Sequence, residues 1–203
     1  MCGICEKESR ISLCYECRKK LQKEFKFTKI SSKRQNFSEQ YYLFQYKNLI
    51  RNLILKMKFQ KESYIYKTIE HFLQNNKKYL EKLKKYDIII VVPLSWKRRL
   101  QRGYNQSQLI AEIISNILQI KIESKILYKT KNIVPQSTLN KKDRKENIKG
   151  AFKIKYIEKI KNKKILIIDD IYTTGNTLNE CAKMFIKEGI KKENIGVLTL
   201  AKD

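Results

Sequence analysis

Two short stretches of this sequence hold residues whose types and spacing could do chemistry. The first is "ILIIDDIYTTGNT", residues 165–177. Its aliphatic run has the length and branching of a strand buried on both faces. Such a strand would deliver Asp169 and Asp170 to the edge of a sheet. The following Thr173, Thr174, Gly175, Asn176 and Thr177 would turn the chain into the start of a helix. Free backbone N–H groups at a helix start, ringed by threonine hydroxyls, form a cradle for phosphate. A glycine there lets the backbone come close to the anion. Two carboxylates are poor partners for phosphate and good partners for sugar hydroxyls or a divalent cation. Phosphate cradle and acidic pair, one sugar-length apart, describe a pocket for ribose 5-phosphate.

The second stretch is "CGICEKESRISLCYEC", residues 2–17, with two Cys-x-x-Cys pairs. Cys2, Cys5, Cys14 and Cys17 make a four-sulfur tetrahedral set of the kind that suits zinc. Four protein ligands leave no open position, so the expected role is structural. So short a segment buries no core of its own, and the metal would supply its folding energy. Cys181 lies far away in a helical pattern and reads as a small buried residue.

The remaining pattern says what positions these groups. Residues 18–36 carry many charges without a period and read as a linker. From Tyr41 to Leu83 the apolar spacing is helical, with Leu49, Ile50, Leu53, Ile54 and Met57 on one face and Ile69, Phe72, Leu73, Tyr79 and Leu80 on a second. "YDIIIVVP", residues 86–93, reads as a buried parallel strand, followed by a basic loop. Residues 105–118 are helical, with Asn105 and Gln108 as a capping pair. A strand is expected near Ile126–Tyr128, then a long polar segment, then an edge strand in "AFKIKYI". "NTLNECAKMFIKEG" reads as a helix that stops at Gly189, and "IGVLTLA" as the closing strand. Alternating strands and helices point to an α/β fold with a mostly parallel open sheet. The loops after Val92 and Ile168 should then face one another across a cleft at the carboxyl ends of the strands.

The 203 residues carry a formal net charge of +25, which favours polyanionic partners. No apolar run approaches the ~20 residues of a membrane span. "MCGICEKESR" has neither a basic nor an apolar leader region, so a cytoplasmic setting is expected.

The spacing of residues 165–177 resembles the 5-phosphoribosyl-1-pyrophosphate (PRPP) signature of type I phosphoribosyltransferases. By that resemblance Asp169 and Asp170 hold the ribose hydroxyls and Thr173 to Thr177 hold the 5-phosphate. The loop Pro93, Leu94, Ser95, Trp96 and Lys97 receives the pyrophosphate, with Arg98 and Arg99 adding charge. Magnesium bridges pyrophosphate and sugar oxygens. Residues 129–150 form a hood over the reacting centre, where Arg144 neutralises departing pyrophosphate.

The similarity runs further. The four-cysteine knuckle, "KMKFQ", "VVPLSWKRRLQRGYNQSQLIA", "QSTLNKKDRKENIKGAF" and "LIIDDIYTTGNTL" together resemble the ComF family of late-competence proteins. The position ahead of the hood where many members carry arginine is Lys129 or Lys131 here. The resemblance implies a zinc-finger module and linker over 1–36 and a phosphoribosyltransferase-like domain over 37–203. It also implies a role in natural transformation, beside single-stranded DNA and the uptake machinery. The location would be cytoplasmic, at most against the inner face of the membrane, without insertion into it. Segment 125–164 holds fourteen Lys/Arg against three acids, with Tyr128, Phe152 and Tyr156 interleaved, which suits single-strand binding. Two other readings remain open: a salvage or biosynthetic transferase acting on a free base or amine, and a regulatory module that senses PRPP.

Overall fold

A computed structural model describes residues 1–60, 64–130 and 148–203, with the side chains of Gln60 and Lys97 left aside. The strands are β1 (Phe25–Ser31), β2 (Glu39–Gln45), β3 (Ile88–Val91), β4 (Lys121–Ile122), β5 (Leu127–Lys129), β6 (Phe152–Ile154), β7 (Ile165–Tyr172) and β8 (Ile195–Lys202). The helices are α1 (Tyr15–Glu24), α2 (Asn48–Leu55), α3 (Ile65–Asn75), α4 (Lys77–Leu80), α5 (Trp96–Arg102), α6 (Gln106–Leu118) and α7 (Asn176–Lys187).

Six strands form one sheet in the order β1-β2-β8-β7-β3-β4. Only β1 runs antiparallel to its neighbour in that sheet; β2–β8, β8–β7, β7–β3 and β3–β4 are parallel. The expected mostly parallel α/β sheet is therefore what forms. After β3 the chain moves outward to β4 on one side and later returns as β7 on the other. The crevice between β3 and β7 is thus a topological switch point, where ligands bind in such sheets.

Side chains alternate between the faces of the three central strands. Ile89 and Val91, Leu166 and Ile168, and Leu198 and Leu200 pack with α2, α3 and α6. Ile88 and Ile90, Ile165 and Ile167, and Ile195 and Val197 pack with α7 and with the β5–β6 hairpin. Burial on both faces explains the unbroken aliphatic runs.

Three expectations are corrected here. Residues 18–36 are not a linker: they continue α1 and supply the edge strand β1. Residues 39–45 form a strand, although from Tyr41 on they fall inside the stretch whose apolar spacing reads as helical. Its five central residues are all buried, so apolar residues follow one another without alternating. Asn105 caps the helix without the Gln108 side chain, whose Nε2 donates to Glu112 Oε1 (3.1 Å) one turn on.

The N-terminal segment is part of the main core. Leu13, Cys17 and Leu21 are buried in the same cluster as the faces of α2 and α3. Thr68 Oγ1 on α3 donates to the Ser12 carbonyl (2.9 Å). Phe25 at the start of β1 makes edge contacts with Phe44, Phe72 and Tyr79 at 5.4–5.5 Å.

Glu39 fastens this edge to the parallel sheet. Its carboxylate pairs with Lys29 on β1 (2.7 Å) and with Lys85 before β3. It also accepts from the hydroxyls of Tyr41 (2.5 Å) and Tyr86 (3.0 Å). Burial alone would raise its pKa, but the bonds from Lys29, Lys85 and the two tyrosines outweigh it and hold the carboxyl at about 2. Because the folded value lies below the usual 4.5, the stabilisation is complete above the unfolded pKa. It is lost as pH falls from about 4.5 towards 2. Replacing Glu39 by Gln is expected to cost about 2–3 kcal/mol at neutral pH and to flatten the acid limb of the stability curve. Urea melts across that range, on both proteins, read this directly.

Candidate functional site

β7 places Asp169 and Asp170 inside the strand rather than after it, because its ladder with β8 runs on to Tyr172↔Lys202. Both carboxylates are only partly exposed. Asp169 Oδ1 accepts from Ser107 Oγ on α6 (2.9 Å) and from the Asp170 N–H (2.9 Å). Asp170 Oδ1 accepts from the Ile171 N–H (2.8 Å), and Asp170 Oδ2 faces Lys58 Nζ at 2.5 Å. Burial first, and then the charge of Asp170, push the Asp169 carboxyl up to about 7, against the pull of those hydrogen bonds.

The chain then turns at Gly175, which precedes α7 with φ +73°. A Cβ there would sit 2.2 Å from the Tyr172 hydroxyl, so both backbone conformation and space demand glycine. Thr173, Thr174, Gly175, Asn176 and Thr177 line the same cavity as Asp169 and Asp170, a cleft of about 630 Å³. The helix start presents N–H groups and the positive end of its dipole to that cleft.

The opposite wall comes from the loop after β3 and from α5. Pro93 and Leu94 line the cavity. Ser95 is buried and does not. Its carbonyl accepts from the Arg99 N–H (3.0 Å), which coils the next residues into α5 instead of an open loop. That coil turns Trp96 outward, 69% exposed, and brings Arg98 and Arg102, four apart and so on one helix face, into the cleft. Nothing is described of the Lys97 side chain, and Arg144 lies outside the described residues, as does most of the hood. What is described of the hood is its base, the antiparallel β5–β6 pair. It puts Lys129 into the cavity, and burial followed by the charge of Arg98 lowers this lysine to about 8. Burial and neighbouring Arg102 hold Arg98 below the ordinary guanidinium value.

Residues 104–203 match the family model for the phosphoribosyl transferase domain. The chain is 35% identical to competence protein F of Haemophilus influenzae over 154 residues, which is 74% of this chain and 66% of that protein. It is 32% identical to competence protein ComFC of Streptococcus pneumoniae over 149 residues, 73% of this chain and 62% of that one. The chain belongs to the ComF family. It is also 34% identical to the DNA utilization protein YhgH of Escherichia coli over 103 residues, 51% of this chain and 44% of that protein. It therefore spans just under two thirds of its competence relatives and under half of YhgH.

The ComF-like motif "RGYNQ" now has a physical explanation, because each of its residues makes a positioning contact. Arg102 Nη1 donates to Gln106 Oε1 (3.2 Å). Gly103 ends α5 in the left-handed conformation, φ +80°, and so reverses the chain. Asn105 caps α6 by accepting from the Ser107 N–H (3.1 Å), and donates to the Val92 carbonyl at the end of β3 (3.0 Å). Tyr104 Oη (2.5 Å) and Gln106 Nε2 (3.2 Å) both donate to the Met57 carbonyl. Met57 belongs to the second motif, "KMKFQ", which forms a π-turn over Lys56–Gln60. The two motifs thus lock together. One aims Ser107 at Asp169 and the other aims Lys58 at Asp170. Spacing alone did not single out Lys58, Ser107 or Arg102. The recurrence of "KMKFQ" in the resemblance was the available signal for Lys58.

The second predicted centre also assembles. The Sγ atoms of Cys2, Cys5, Cys14 and Cys17 all lie within 4.8 Å of one another, and Cys5 and Cys14 are 3.8 Å apart. A tetrahedral site with Zn–S bonds of about 2.3 Å has sulfur–sulfur edges of about 3.8 Å. The thiols could hold a metal, and four sulfurs at this spacing fit zinc in a structural role. Metal analysis of the purified chain is expected to find one zinc per molecule. Substituting Cys14 by Ser should remove it and lower the melting temperature by more than about 5 °C. Metal content near zero, with a melting temperature indifferent to both substitution and chelation, would show that the thiols have no such part.

Proposed function

We propose that this chain binds PRPP in the cleft between β3 and β7 and works on or beside single-stranded DNA during DNA uptake, in the cytoplasm. The observation that carries the reading is the convergence of Asp169, Asp170 and the Thr173–Thr177 loop on one cavity. The acids suit the pentose hydroxyls, and the loop amides at the start of α7 suit the 5-phosphate. Arg98, Arg102 and Lys129 suit the pyrophosphate as it lies bound or departs. Little acid–base help would be needed, since pyrophosphate leaves readily from an oxocarbenium-like centre.

The DNA side of the reading is supported by the names of its relatives, one a competence protein and another a DNA utilization protein. It is supported also by basic residues set against aromatic rings. Lys155 lies 5.1 Å from the Tyr128 ring and Lys159 5.1 Å from that of Tyr156, near the hood base. Arg102 lies 5.8 Å from the ring of Phe59, which is 70% exposed at the cavity mouth. Phe59 and Tyr156 are exposed, and exposed rings beside cations are what sequence-tolerant stacking of unpaired bases requires. Among the described residues no helix is long and apolar enough to cross a membrane.

The same pocket would serve a transferase with a free base or amine as acceptor. Release of pyrophosphate from PRPP with such a compound would favour that reading. Calorimetry tests the common core: the combined Asp169→Ala and Asp170→Ala variant should bind PRPP at least about tenfold more weakly than the parent chain. Wild-type affinity in that variant would refute the site. On the same preparation, oligonucleotide affinity should fall at least about tenfold between roughly 50 and 200 mM salt. A flat salt response would remove the DNA arm and leave the PRPP arm standing.

A further inference from the structure

The fold family implies magnesium at a PRPP site, but the donor set here offers a dication little. Magnesium takes about six oxygens in near-octahedral array, most of them from water and substrate phosphates, and asks one or two carboxylates of the protein. Of the four oxygens on the acidic pair, three are engaged among the described residues and Asp169 Oδ2 is left over: Asp169 Oδ1 already accepts from Ser107 and from the Asp170 N–H. Asp170 Oδ1 accepts from the Ile171 N–H, and Asp170 Oδ2 carries the Lys58 ammonium at 2.5 Å. The charge balance of the cavity points the same way. Its described lining contains Lys58, Arg98, Arg102 and Lys129 against Asp169, Asp170 and Asp203. A dication would have to arrive on the ligand's own oxygens and meet four resident cations.

Resting on the PRPP reading above, we infer that Lys58 takes over part of the charge neutralisation that a divalent cation would supply to PRPP, so that binding depends only weakly on magnesium. The side chain suits the task. Its Nζ stands against the carboxylate proposed to hold the pentose, on a stem only 17% exposed. A pentose bound at Asp170 would bring its C1 pyrophosphate within the sweep of a four-carbon stem. An ammonium is a compact point charge that serves a carboxylate and a phosphoryl oxygen equally well, without the fixed geometry of a guanidinium. Its anchor is also unusual. Lys58 sits in the π-turn whose Met57 carbonyl is held by both Tyr104 and Gln106. π-turns widen a helix locally and are frequent at functional sites. The ammonium is thus delivered by a dedicated backbone distortion, which a mere surface ion pair does not need.

The test is calorimetry on the full chain with PRPP and with ribose 5-phosphate, each with magnesium in excess and with magnesium omitted. Omission rather than chelation leaves the thiol site undisturbed. The wild-type chain is expected to bind PRPP with a Kd that changes less than about threefold between conditions. Lys58→Met should lose about tenfold or more in affinity for PRPP without magnesium and regain most of it with magnesium. Its loss of affinity for ribose 5-phosphate, which lacks the pyrophosphate, should be smaller than its loss for PRPP and should not depend on magnesium. Lys58→Arg keeps the charge and should keep the weak magnesium dependence, with some loss of PRPP affinity from the guanidinium's fixed geometry. The inference is overturned if wild-type binding collapses without magnesium, or if Lys58→Met shows the wild-type magnesium response. Absence of PRPP binding by the wild-type chain in both conditions would instead refute the pocket assignment, and this inference with it. Should Lys58→Met fail to fold, the magnesium responses of wild type and Lys58→Arg decide.

Discussion

Two adjacent carboxylates in the last half of a buried strand repel one another, and the surrounding structure is arranged around that cost. At an effective dielectric of about 20, two unit charges several ångströms apart repel by a few kcal/mol, before any loss of hydration. A strand cannot carry it unaided. Asp169 is relieved by the Ser107 hydroxyl and by a backbone amide, and Asp170 by another amide and the Lys58 ammonium. Neither side chain is local in sequence: Lys58 and Ser107 come from different parts of the chain. They arrive together because the π-turn around Met57 and the helix start after Tyr104 share the Met57 carbonyl. The compensation is incomplete, and Asp169 remains easier to protonate than a free carboxyl. A ligand that brings hydroxyl donors to this pair would complete what the protein leaves partly done.

The same logic of distributed support extends to the N-terminal segment. A four-cysteine knuckle of this length has no core of its own. Its Leu13, Cys17 and Leu21 share the core of α2 and α3, and β1 extends the main sheet. The metal site, Glu39 and the parallel sheet are therefore mechanically continuous. A metal held by the four thiols would brace the edge that also packs α2, and α2 leads directly into the π-turn that carries Lys58.

Much of the cleft was legible because buried parallel strands announce themselves. Residues 86–93 and 165–168 are aliphatic on both faces, and only a central position in a sheet calls for that. The acid pair and the threonine loop follow from where such a strand must end. The edge of the sheet was not legible. "FKFTKIS" mixes lysines with aromatics as a half-buried edge strand should, and over a few residues that is indistinguishable from a charged linker. "EQYYLFQ" is buried on both sides but neighbours a helix, whose apolar spacing absorbed it. The contributions of Lys58 and Ser107 escaped because they depend on a π-turn and on a contact across 62 residues of sequence. The loop after Pro93 was legible as basic but not as coiled, so the cations were placed on Lys97, Arg98 and Arg99, with Ser95 and Trp96 as ligands. The helix keeps Arg98 in the cleft and adds Arg102 one turn on.

The central claim is spatial, and a crystal structure of the chain soaked with PRPP tests it most directly. The expected density places the pentose hydroxyls within hydrogen-bond reach of Asp169 and Asp170. The 5-phosphate should lie against the backbone amides of Thr173–Thr177, with the pyrophosphate towards Lys58, Arg98 and Arg102. Density for the sugar anywhere else, or an acid pair that keeps only its protein partners while PRPP binds at a different surface, would contradict it.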